Sequence, residues 1–257
     1  MRVYSLQGIA NFRDFGGHPT NDGRRVVEGR LFRGGHQGAA SPSDRETLDG
    51  LGIGLIVDLR RSFECAREPR VWPASGSVEL VVDTEESSVA TLPYVAFLRK
   101  PGVTPDDVVA QVRDAYRSIP YDSKHVGLYS RYLRRLATAD CASLVSCTHG
   151  KDRTGILCAL TLRLLGVDHG AIMEDYLLTN AGLRESMSIH QAQASFANTY
   201  GITPTLDVMS AIVRVEPDFL ETAFEEMRSR NGSVDGYLDM LGIIKALREE
   251  IRARYVS

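Results

Sequence analysis

Residues 142–166 read ASLVSCTHGKDRTGILCALTLRLLG. An uncharged apolar run comes first, then a turn crowded with a cysteine, a lysine, an aspartate, an arginine and a threonine, then a longer apolar run. ASLVSC (142–147) has the length of a strand buried on both faces. TGILCALTLRLLG (154–166) is apolar all round, as a buried helix is, with Gly166 placed to end it. The unit is strand, tight loop, helix, with Arg153 expected to open the helix. In open α/β sheets ligands sit beyond the carboxyl ends of the strands, which makes the loop from Cys147 to Arg153 the place to look for chemistry.

A loop of this kind can turn successive backbone N–H groups toward one centre, and the helix N-terminus behind it adds partial positive charge. Together they suit a phosphate-like anion. A cysteine at the floor of that cradle is held as thiolate by the same dipoles and by the nearby cations. The planar fork of Arg153 can grip two phosphoryl oxygens at once, which a lysine cannot do. Attack of the Cys147 sulfur on phosphorus would give a phosphocysteine that water then hydrolyses, with no metal or other cofactor called for. Asp152 is the carboxyl group nearest the nucleophile in sequence, and it could protonate the leaving oxygen and later activate the water. Thr154 is placed to hydrogen-bond the sulfur, Lys151 to add charge at the mouth, and Thr148, His149 and Gly150 complete the wall. Asp58, at a strand end, is a candidate either to line the site or to hold that strand end in place.

Other readings of the loop fail on spacing. A G-x-x-x-x-G-K-[ST] nucleotide loop would need glycine at Val145 and Ser or Thr at Asp152. A zinc site from Cys141, Cys147, His149 and Cys158 lacks C-x2-C or H-x3-H pairings. Cys158, on the apolar helix, reads as a core residue.

Outward from the loop, GIGLIVDLR (52–60) and VELVVDT (78–84) read as further buried strands, and RRVVEGRLFR (24–33) as a strand or hairpin arm. SPSDRETLDGLG (41–52) has capping-box spacing at Ser43 and Glu46, with Gly50 or Gly52 closing the helix. Helical spacing runs from about Thr104 to Thr138 and through residues 168–255, broken at Gly182, Gly201, Pro204, Pro217, Gly232 and Gly242. Strands interleaved with helices, followed by a helical tail, predict an α/β sheet with helices on both faces.

The 257 residues, 43% hydrophobic and 25% charged, suffice for a sizeable core. A net charge of −3 offers no general field for nucleic acid, so attraction for an anion must be local. MRVYSLQGIANFRD (1–14) lacks the apolar h-region of a secretory signal and no later stretch has membrane-spanning length, so stable membrane insertion is not expected and a cytoplasmic location is the default. Four scattered cysteines make no disulfide framework.

At the loop the sequence resembles the bacterial tyrosine phosphatases with a C-x-x-G-K-D-R-T-G motif, also called tyrosine/serine-protein phosphatases, within the cysteine-dependent phosphatase superfamily. NFRDFGG (11–17), GRLFRGG (29–35), IVDLRRSFE (56–64) and NGSVDGYLDMLGI (231–243) resemble that family's other segments in the same order. The resemblance implies one phosphatase-type α/β domain over residues 1–257, with a candidate helical lid at 85–135 and a helical C-terminal part at 168–257. It also implies a metal-free phosphocysteine mechanism with Asp152 as the acid. Trp72-Pro73-Ala74 resembles the Trp-Pro-Asp loop of other phosphatases without its acid, which leaves Asp152 favoured. Implied substrates are phosphotyrosine and, in some members, phosphoserine, phosphothreonine or phosphoinositides. Two positions depart from the pattern: Ser146 stands where the family carries histidine, and His149 where it carries alanine. The second keeps a small phosphorylated metabolite open beside a phosphoprotein as substrate, and a non-catalytic phosphate-binding module is the remaining alternative.

Overall fold

The computed structural model of the chain describes residues 3–73, 78–85 and 93–257. Five strands among these form one sheet in the order β1-β2-β5-β3-β4. They are β1 (Arg13–Asp14), β2 (Leu31–Gly34), β3 (Ile53–Asp58), β4 (Glu79–Val82) and β5 (Ala142–Ser146). β1 is antiparallel to β2, and the other pairs are parallel. Gly34 and Asp58 both pair with Ser146, so β2, β3 and β5 end at one level and their following loops meet there.

Side chains alternate between the sheet's two faces, as strand geometry requires. Leu31, Leu55, Val57, Val81 and Val145 enter the larger core, while Phe32, Ile53, Ile56, Ala142 and Leu144 enter a second core with Ile9, Phe12, Leu48 and Trp72. The helix on the second face is α1 (Pro42–Asp49). The larger core is shared among α4 (Pro105–Ser118), α5 (Ser123–Leu136), α6 (Asp152–Leu165), α7 (His169–Leu177), α10 (Leu206–Val213), α11 (Pro217–Asn231), α12 (Val234–Met240) and α13 (Lys245–Tyr255). Helices α2 (Ser62–Arg67), α3 (Pro93–Leu98), α8 (Thr179–Ser186) and α9 (Ile189–Tyr200) lie toward the periphery of that core. No helix among the described residues is long and apolar enough to cross a membrane.

Several boundaries differ from the sequence reading for identifiable reasons. α1 is capped by Ser41 and Asp44, not Ser43 and Glu46, because Pro42 supplies the preset φ of the first helical position. Of residues 24–33 only the end becomes β2; Arg25 and Val27 instead hydrogen-bond the backbone of Tyr255 and Ser257. α6 opens at Asp152, one residue early, and Gly166 ends it at φ +86°. Gly182 breaks nothing. It lies inside α8, where a Cβ would sit 2.6 Å from the Asn11 side-chain oxygen, so the glycine admits the N-terminal segment. Of the candidate lid, residues 86–92 lie outside the described residues, and α4 and α5 bury Val108, Val112, Tyr116, Leu128 and Tyr132 in the main core.

Asp44 anchors the N-terminal segment as well as α1. Its carboxylate accepts from the amides of Gln7 and Gly8, both at 2.8 Å, and from Ser41 at 2.9 Å. Asp44→Ala is expected to lower unfolding free energy by about 2–3 kcal/mol in urea titration, more than the roughly 1 kcal/mol of a helix cap alone.

Candidate active site

β5 delivers Cys147 to the carboxyl edge of the sheet, where it is 3% exposed, and α6 begins at Asp152. Three of the four intervening carbonyls have donors. Thr148 O accepts from His36 N, Lys151 O from Gly155 N, and Gly150 O from both Asn11 Nδ2 at 2.8 Å and Arg33 Nη2 at 3.2 Å. The amide N–H groups of Thr148 to Asp152 donate to no acceptor among the described residues. A loop with most of its carbonyls occupied and its amides unengaged, at a helix N-terminus, is suited to cradle an anion. Gly150 makes the turn at φ +66°, and a Cβ there would lie 2.5 Å from the carbonyl carbon of Gly34.

Arg153 stands in the first turn of α6. Its Nη1 donates to Leu59 O at 3.1 Å and Glu64 Oε2 at 2.6 Å, and its Nη2 donates to Glu64 Oε1 at 2.8 Å and Thr148 Oγ1 at 3.1 Å. Glu64, in α2, thus holds one edge of the guanidinium in a bidentate grip, and the Nε–H has no partner among the described residues. Burial alone would raise the Glu64 pKa, but the charge and hydrogen bonds of Arg153 and a hydrogen bond from Thr148 hold it well below the carboxylate range. The guanidinium carries its charge close enough to Cys147 for the two to interact.

The other expected residues fall in different places. Asp152 is half-buried, with Tyr116 OH 2.9 Å from Oδ1 and Lys151 Nζ 3.4 Å from the same oxygen. Lys151 does not reach out over the mouth: it is buried, and its ammonium caps α10 on the carbonyls of Ile212 at 2.6 Å and Arg214 at 3.5 Å. The Thr154 hydroxyl is wholly buried and has no hydrogen-bond partner among the described residues, so the expected bond to the sulfur is not made. Of the two roles open to Asp58, the geometry matches the strand end. It is buried, with Arg60 and Arg70 on its oxygens. Cys158 is a core residue whose thiol pKa is pushed up to about 12, chiefly by burial. Trp72 is buried and donates to Asp49 at 2.7 Å, while Ala74 lies outside the described residues.

Four residues that matter here were not singled out by the sequence reading. Glu64 had a signal, as the closing acid of the DLRRSFE segment (58–64). Asn11, Tyr116 and Asp175 lie far from the loop in sequence and act only through the fold. Asp175 bridges Arg13 (3.2 Å) and Arg33 (2.6 Å), all three buried.

The carboxyl end of a central parallel strand carrying a cysteine, followed by a run of unengaged amides and an arginine six residues on, is the arrangement expected of a cysteine-dependent phosphatase. Residues 4–257 match the model of the tyrosine phosphatase family, and the chain belongs to that family. It is 30% identical over 256 residues to a protein of Cupriavidus necator named as a candidate tyrosine-protein phosphatase, covering 97% of this chain and 86% of that one. It is 29% identical over 279 residues to the triple specificity protein phosphatase of Mycobacterium tuberculosis, covering 98% of each chain. A tyrosine-protein phosphatase of Nostoc commune is 24% identical over 219 residues, covering 84% of this chain and 71% of that one. The protein is accordingly a phosphatase.

Two consequences of this geometry are measurable. Glu64→Gln is expected to keep the fold but lower kcat/KM about 10- to 100-fold, because Arg153 loses the charged partner that fixes its guanidinium and aims its free Nε–H. His125, buried behind Arg153, has its pKa lowered from 6.5 to about 4 by burial and by the Arg153 charge. The unfolded chain therefore takes up this proton first, and stability falls as pH drops from 6.5 toward 4. His125→Gln should flatten that slope in urea titrations by at most roughly 3 kcal/mol.

Proposed function

We propose that the protein hydrolyses phosphate monoesters through a phosphocysteine on Cys147. The sulfur attacks phosphorus in line with the leaving oxygen, the amides of Thr148 to Asp152 and the free Nε–H of Arg153 take the phosphoryl oxygens, and Asp152 gives its proton to the leaving group. Water then attacks phosphorus, the S–P bond breaks, and Asp152 recovers the proton. The observation that carries this reading is the Glu64 clamp, which aims Arg153 over a loop whose amides have no other employment.

Phosphotyrosine is the substrate the family favours. The Mycobacterium tuberculosis relative is named a triple specificity protein phosphatase, which supports a range wider than one ester; the family resemblance offers phosphoserine, phosphothreonine or phosphoinositides, and a small phosphorylated metabolite stays within reach of the same chemistry. The proposed cover of the site is α3 with α9, supported by Arg99 donating to the Tyr200 carbonyl at 3.3 Å and Arg67 donating to Thr199 at 2.8 Å.

Turnover of p-nitrophenyl phosphate in EDTA tests the mechanism. Cys147→Ser is expected to abolish it while inorganic phosphate still binds; turnover that survives the substitution removes the thiol from the reaction. Asp152→Asn should slow phenyl phosphate by roughly 10²-fold or more and activated aryl phosphates far less. Comparing phosphotyrosine peptides with small phosphate esters before and after His149→Ala reads whether that side chain sets the choice between them.

A further inference from the structure

Asp152 does not hang free at the rim. The Tyr116 hydroxyl, on α4, donates to Asp152 Oδ1 at 2.9 Å, and the hydroxyls of Tyr116 and Tyr176, the latter on α7, lie 2.7 Å apart. A tyrosine hydroxyl has one hydrogen, and that of Tyr116 is engaged by the carboxylate, so Tyr176 must be the donor in the second bond. Burial first, and the Asp152 charge second, push both phenols well above 10. Both stay protonated and the direction of donation does not reverse. Lys151 Nζ approaches the same Oδ1, whereas Oδ2 has no partner among the described residues. The carboxyl group is divided into a filled oxygen and a free one.

We infer that Tyr116 and Tyr176 form a positioning device for the acid: they lock Oδ1 as an acceptor, so that Oδ2 alone exchanges the proton. The inference rests on the role proposed above for Asp152. As the S–P bond forms and the P–O bond breaks, the Oδ2 proton goes to the leaving oxygen. As water bonds to phosphorus and the S–P bond breaks, a proton of that water returns to Oδ2. Neither tyrosine changes partner in either step.

The glycine that closes the KDRTG stretch is part of this device. A Cβ on Gly155, in α6, would sit 2.9 Å from Tyr176 Cε2 and 3.0 Å from Cδ2, so only glycine lets that ring settle against the helix. The two tyrosine rings meet edge-on at 6.3 Å, and Phe219 closes against Tyr116 at 5.6 Å. The hydroxyls are therefore delivered by packing and not by flexible reach.

The test compares kcat/KM, which reports the step that expels the leaving group, on phenyl phosphate and on 2,4-dinitrophenyl phosphate. Tyr116→Phe is expected to lose about tenfold on the first and less than about threefold on the second, a share of the roughly 10²- to 10⁴-fold that a general acid supplies. Competitive inhibition by inorganic phosphate, which reads the cradle itself, should hold within about twofold. In an Asp152→Asn background Tyr116→Phe should add nothing further. Equal losses on both esters, or a full additional loss in that background, would overturn the positioning device and leave the acid in place. An Asp152→Asn variant without leaving-group selectivity would instead remove the role on which the device depends. Because Tyr116→Phe strands the Tyr176 hydroxyl, the double variant Tyr116→Phe/Tyr176→Phe removes both buried groups and must show the same selectivity.

Discussion

A loop that presents its amides to one centre has to place its carbonyls elsewhere, and the Gly150 carbonyl is the one on which this fold depends. Two donors hold it, Asn11 and Arg33, and Arg33 is held in turn by Asp175, which also binds Arg13. The chain of contacts joins β1, β2 and α7 to the loop after β5. Burial alone would raise the Asp175 pKa, yet Arg13 and Arg33 hold it low, so the carboxylate stays charged and the support does not slacken as pH falls through the ordinary carboxylate range. Buried charges cost heavily in desolvation, and removing one partner leaves the others uncompensated. The arrangement is stable only complete, which is what makes it a rigid mount.

The same logic organises the cations around Cys147 in a chain of net charge −3. Arg33 and Arg153 both interact with the cysteine, but each is tied to a carboxylate that lies outside the cradle. Their charge is available to an anion while their positions are fixed beforehand, so binding need not immobilise them. Lys151 is used differently. Its ammonium sits on the carbonyls that end α10, where a helix carries partial negative charge, and so it fastens that helix to the reactive turn.

The strand-loop-helix unit at 142–166 was legible because apolar runs of two different lengths bracket a turn, and local pattern decides such elements. The cysteine, arginine and aspartate were legible for the same reason: they share one turn, and their spacing is their geometry. Glu64 was visible only as part of a segment, since nothing in DLRRSFE says which cation its acid will meet. Asn11, Asp175, Tyr116 and Tyr176 were out of reach because their partners are fixed by sheet order and helix packing. Lys151 was misjudged for a related reason. A lysine beside a nucleophile reads as a ligand for substrate, but a flexible ammonium goes to whatever acceptors packing offers, and here α10 offers two carbonyls. Gly182 reads as a breaker by composition and proves to be a point of close approach.

Of the two departures from the family pattern, the one at Ser146 is met by the backbone of β3 and the chain leaving it. At Ser146 the side chain makes a 3.4 Å contact with Val57 O, while its own carbonyl accepts from Leu59 N at 2.8 Å. The Leu59 carbonyl then receives Arg153. Support for the loop on this side therefore passes through the chain leaving β3, and no ring at position 146 is required for it. His149 is a matter of charge. The ring is exposed at the loop, yet desolvation by the protein around it, followed by the charge of Lys151, lowers its pKa from 6.5 to about 4. The imidazole is then neutral at physiological pH and meets a substrate as a hydrogen-bonding group of some bulk. On the function proposed above, attraction of the anion would fall to Arg153 and the amides, leaving a neutral His149 to meet the remainder of the substrate.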